Sequence, residues 1–60
     1  MYEVIVFYKY DYDYIIKCFN ILNDAEEYFD SIANEIKYEE CPISMVVMYC
    51  NHKKVKEFKA

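Results

Sequence analysis

The 60-residue sequence contains no glycine, arginine, tryptophan, threonine or glutamine, and only one proline. Without glycine there is no phosphate-cradling loop, no dinucleotide fingerprint and no nucleophile elbow, because each needs close backbone approach or positive φ at low cost. Nucleotide-dependent enzymes are therefore not expected. Without arginine there is no planar fork for bidentate reading of guanine or phosphate, and the net charge of −4 opposes a polyanion, so direct binding of duplex DNA is not expected. Long apolar runs are also missing. The longest, Met45 to Cys50, falls far short of the ~20 residues of a membrane span, and Met1-Tyr2-Glu3 has no basic leader. The expectation is a cytoplasmic chain with no membrane attachment. Three cysteines, an odd number, suit a reducing compartment in which Cys18, Cys41 and Cys50 act as small apolar residues rather than as a disulfide framework.

What is present is a folding composition. Hydrophobic residues make up 57% and charged residues 30%, the balance of a globule rather than of a disordered tail. Sixty residues allow one small domain, residues 1–60, with a marginal core, so self-association as a homodimer is expected. Phe, Tyr, Met, Ile, Asn and Lys fill 33 positions, whereas Gly, Ala, Arg and Pro fill 4, a split that follows AT-rich against GC-rich codons.

Residues 2–10 are aromatic and β-branched almost throughout. They predict a strand with Val4, Val6 and Tyr8 on one face and Ile5 and Phe7 on the other. Asp11-Tyr12-Asp13 reads as a turn, and residues 14–21 as the returning strand. From Asn23 the period changes, since Ala25, Tyr28, Phe29, Ile32, Ala33 and Ile36 trace one apolar helical face. Asn23 is the expected N-cap and Glu26 its reciprocal partner, and the helix should stop by Cys41-Pro42. Ile43 to Tyr49 predicts a third strand, with Ile43, Met45, Val47 and Tyr49 opposed by Val46 and Met48. Asn51-His52 predicts a two-residue turn, and residues 53–58 a lysine-rich edge strand. The fold class is α+β. The order ββαββ implies an antiparallel sheet in the order 2-1-3-4 with the helix on one face. One helix cannot cover two apolar faces, so the other should be buried by a second copy or a target protein.

Three constellations bear on function. Cys41, Cys50 and His52 match no usual zinc spacing, and free cysteine is so often simply buried that no metal and no cofactor are expected. Cys50 and His52 share a strand face but have no oxyanion hole beside them, so no catalysis is expected either. The helix carries Glu26, Glu27 and Asp30 on its polar side, a solvated face or an electronegative surface for a basic site on a nucleic-acid-handling protein. Eight tyrosines, among them Tyr8, Tyr10, Tyr12 and Tyr14, offer stiff amphipathic contact area, although AT-rich codons alone would also supply tyrosine. An alternative ligand site is Lys53, Lys54 and Lys56, which could meet the phosphates of a signalling nucleotide whose bases stack on tyrosine in a dimer cleft.

The Tyr-rich hairpin, the segment Phe19-x-Ile21-x-Asn23-Asp24-Ala25-Glu26-Glu27-Tyr28-Phe29 and the terminal hairpin together resemble the small ββαββ proteins of phages and prophages of low-GC bacteria. That resemblance covers nearly the whole chain. It implies an anti-defence role of the anti-CRISPR type, in which a non-catalytic protein binds and blocks a host antiviral protein. It assigns no residue by position, and the residues expected to bind, from their own chemistry, are Tyr8, Tyr10, Tyr12, Tyr14, Glu26, Glu27 and Asp30.

Overall fold

The computed structural model describes residues 1–10 and 12–60. Its elements are β1 (Tyr2–Tyr8), β2 (Tyr14–Phe19), α1 (Leu22–Ile36), β3 (Ile43–Cys50) and β4 (Lys53–Lys59). The sheet is four-stranded in the order β2-β1-β3-β4, and every neighbouring pair is antiparallel. The two strands with apolar residues on both faces occupy the centre, where both faces lose water, and the strands that tolerate solvent take the edges.

Helix α1 lies mainly across β3 and β1. Its buried residues are Ala25, Phe29, Ala33 and Ile36, with Tyr28 and Ile32 half-buried beside them. Beneath it sit Val4 and Val6 from β1 and Ile43, Val46 and Met48 from β3. Ala25 is fully buried, and its lack of side-chain bulk lets the helix approach the sheet closely there.

The helix starts earlier than the sequence suggests. Its N-cap is Ile21, in extended conformation with no side-chain hydrogen bond, and the Ala25 amide donates to the Ile21 carbonyl at 3.2 Å. Asn23 and Glu26 therefore lie inside the first turns and form no capping box. Asn23 instead donates to Glu27 Oε1 at 3.4 Å, and Asp24 supplies the negative charge in the first turn. An apolar residue caps here because β2 runs almost directly into the helix. β1 and β2 also end sooner than their compositions imply, at Tyr8 and Phe19, while β3 and β4 each run one residue further.

Two irregularities decide which side chains share a face. Directly opposed residues of an antiparallel pair point to the same side, so the register assigns the faces. Phe7 pairs with Met45 but Tyr8 pairs with Ile43, leaving Ser44 as an extra residue whose hydroxyl donates to the Phe7 carbonyl at 3.2 Å. That bulge turns Ile43 into the helix-side core, correcting its expected place with Met45, Val47 and Tyr49. In β4 the partners are Met48 with Lys56 and Tyr49 with Lys54, which leaves Val55 extra.

The β3–β4 connection is the expected Asn51-His52 turn. Both residues have positive φ, 50° and 69°, as a two-residue hairpin turn matching the strand twist requires. The sequence meets this demand without glycine by using asparagine and histidine, which visit the left-handed region more readily than most residues. The N-terminal ammonium donates to Asn51 Oδ1 and the Asn51 amide to the Met1 carbonyl, each at 3.1 Å, tying this turn to the start of β1. Of the expected Asp11-Tyr12-Asp13 turn, Asp11 lies outside the described residues.

Candidate functional site

The register divides the surface into a helix side and an open side. On the open side β2 contributes Tyr14, Ile16 and Cys18, β1 contributes Phe7, Ile5 and Glu3, and β3 contributes Met45, Val47 and Tyr49. Lys59, Glu57 and Lys54 of β4 complete the rows. The result is an apolar field over three strands, bordered by charge along β4 and at Glu3. Val47, at its centre, is buried by its neighbours alone, whereas Tyr14 and Ile16 at the β2 margin are 57% and 45% exposed. Strand alternation in the sequence already implies two apolar faces; only the strand order reveals that these particular residues adjoin.

The four hairpin tyrosines do not form one patch. Tyr8 packs against the helix-side core. Tyr14 lies on the open side with its ring 5.9 Å from that of its cross-strand partner Phe7. Tyr10 and Tyr12 are 91% and 104% exposed, outside any strand. An exposed tyrosine ring gains nothing from packing, so these two are the ones with contact area to offer a partner.

The acidic residues are partly answered from within the molecule. Lys56 Nζ lies 3.9 Å from both Glu26 Oε2 and Asp30 Oδ1, and 4.5 Å from the centre of the Phe29 ring. Glu27 stands apart from this arrangement, with Asn23 as its hydrogen-bond partner. The expected acidic surface thus contains a lysine at its centre, which lowers the field it projects. A second lysine is placed similarly: Lys17 Nζ lies 4.9 Å from the centre of the Tyr28 ring, which itself packs 5.6 Å from Phe19. Burial, with Tyr8 and Glu35 nearby, pushes the Tyr28 hydroxyl above the ordinary tyrosine range.

The lysines proposed for ligand binding are not brought together. Lys53 pairs with Cys50 and Lys56 with Met48, on the helix side, while Lys54 pairs with Tyr49 on the open side. Lys54 donates to Glu57, and Lys59 Nζ lies 3.4 Å from the other carboxylate oxygen of the same residue. Hydrogen bonding to Lys54 holds the Glu57 carboxyl below the usual glutamate range and raises the Lys54 ammonium above its own. Glu57 therefore stabilises the fold above the ordinary glutamate pKa and loses that contribution as pH falls through its lowered value; Lys54 contributes below the ordinary lysine pKa and loses it as pH rises through its raised value. The pair is solvent-exposed, so its effect on stability is small. The shift itself is measurable: Lys54→Met should return the Glu57 pKa most of the way to that of free glutamate in a carboxyl-carbon NMR titration, and an unmoved value would show that Lys59 holds it instead.

Among the described residues no group of three or more His, Cys, Asp or Glu side chains is arranged to hold a metal ion. Cys41 and Cys50 are half-buried, Cys18 is exposed on the open side, and His52 stands at the turn with its Nδ1 3.8 Å from Glu3 Oε1. No helix among the described residues is long and apolar enough to cross a membrane. Neither a protein-family model, nor a curated protein, nor a solved structure matches this chain.

Proposed function

We propose that this chain is a non-catalytic interaction protein, phage-encoded and acting in the cytoplasm of a host bacterium, that binds and blocks an antiviral-defence protein in the manner of the anti-CRISPR inhibitors. The observation that carries this reading is the pairing of two unpacked rings, Tyr10 and Tyr12, with an apolar sheet face that no element among the described residues covers. Exposed aromatic anchors beside an apolar field are what a protein interface concentrates its binding energy in. The charged border along β4 supplies the polar rim. The nucleotide-ligand alternative receives no comparable support, because its lysines fall on opposite sides of the sheet and Lys54 and Lys56 each have an acidic neighbour.

The test is expression of the chain in bacteria carrying, one at a time, the antiviral systems of low-GC hosts, followed by phage challenge. One system should fail to restrict its phage, and the purified blocked component should bind the chain directly at a fixed stoichiometry. Full restriction by every system, with folded protein present in the cells, would remove the anti-defence reading.

A further inference from the structure

We infer that β2 is a homodimer edge: a second copy of this chain pairs its own β2 antiparallel with it about a twofold axis at Ile16, forming one continuous eight-stranded sheet. The inference concerns the isolated protein and does not depend on the target proposed above.

It starts from the contrast between the two edges of the sheet. β4 carries five charged residues in seven and a bulge at Val55, the devices by which exposed edges resist pairing with another chain. β2 has neither. Its pairing with β1 is unbroken from Tyr14 to Phe19, and its one charge, Lys17, is drawn onto the Tyr28 ring on the helix side and does not guard the edge. Ile15 and Ile16 point to opposite sides of the sheet, yet both are nearly half exposed, at 44% and 45%. A partner stacked on the open side would cover Ile16 and leave Ile15 in water. A neighbouring strand covers both at once, which selects edge pairing over face packing.

Symmetry then selects the register. A twofold axis along the sheet normal keeps each side chain on its own side, so a residue can oppose only itself or one an even number of positions away. Centring on Lys17 sets two ammonium groups against each other, a destabilising like-charge pair. Centring on Ile15 aligns only Tyr14 to Ile16. Centring on Ile16 aligns Tyr14 to Cys18: Ile16 meets its own copy, Tyr14 meets Cys18, and Ile15 packs on the aliphatic stem of Lys17. β2 contains no acidic residue, so the net charge of −4 lies away from the seam. Self-complementarity of this kind, with one favourable register, points to a second copy as the occupant.

Sedimentation equilibrium of the purified protein should show a mass moving from 7.4 kDa toward twice that value with increasing concentration. Ile16→Lys puts two ammonium groups on the axis at a half-exposed position and should weaken dimerisation by about a hundredfold or more. A disulfide provides the second reading and decides the matter should that variant fail to fold. Opposed Cα atoms in an antiparallel pair are about 4.5–5.5 Å apart, within disulfide reach. Ile16→Cys in a Cys18→Ser background should therefore cross-link to a covalent dimer under mild oxidation, whereas Val55→Cys on the other edge should not. A monomer at about millimolar concentration, a dimer that Ile16→Lys leaves intact, or an Ile16→Cys protein that cross-links no faster than Val55→Cys would overturn the inference. These masses and cross-links are read on the isolated chain with no target present, so their failure counts against the β2 seam alone, and a failed phage challenge leaves them unchanged.

Discussion

Phe29→Ala should leave the protein largely unfolded at 25 °C. Phe29 is 5% exposed at the middle of α1, joined in one core to Val4, Val6, Val46 and Met48. Truncating such a ring costs about 3–5 kcal/mol, through lost transfer energy and the cavity left behind. A domain of this length has only ~3–9 kcal/mol of stability in total. The same change also removes the ring beneath the Lys56 ammonium. Urea denaturation followed by circular dichroism should show a cooperative transition for the parent, a lowered but cooperative one for Phe29→Leu, and almost none for Phe29→Ala. A parental midpoint in the alanine variant would mean that the helix does not seal the core.

The helix was legible because six apolar residues keep one period from Ala25 to Ile36, and nothing else in the chain competes with that pattern. The sheet order followed from the same economy, since two strands apolar on both faces must take the centre of a four-stranded sheet. Ile43 escaped strand alternation because one extra residue, Ser44, reverses the phase, and serine at that position carries no signal of a bulge. The cap at Ile21 escaped for a related reason. Asn23 has the chemistry of an N-cap, but tertiary packing of β2 against the helix sets the actual start two residues earlier. The arrangement of lysines over Phe29 and Tyr28 was hidden as well, because Lys56 and Lys17 reach those rings only once the strands are paired in register. Function was the least legible layer. The chain has no motif whose spacing demands a particular chemistry, and the four hairpin tyrosines, so prominent as a run, are divided by the fold between core, open face and solvent.

That division makes the remaining large effect specific to two residues. In the double variant Tyr10→Ser/Tyr12→Ser, folding stability should stay within about 0.5 kcal/mol of the parent per substitution, because neither exposed ring has packing to lose. Affinity for the target should fall about a hundredfold or more, since truncating a central tyrosine of an interface commonly costs ~2 kcal/mol. The comparison is Glu27→Lys/Asp30→Lys. Asp30 shares Lys56 with Glu26, so this reversal adds positive charge beside an existing cation and tests whether the helix still contributes a field to binding. A target held by the loop rings loses little affinity on charge reversal, and its salt dependence changes by a small amount, because rim charges act mainly on the association rate. Calorimetry of both variants against whichever component the phage-challenge test identifies separates the two surfaces. Unchanged affinity in the tyrosine variant with a steep loss in the charge variant would move the binding site from the hairpin to α1, and Tyr10 and Tyr12 would then be products of codon usage alone.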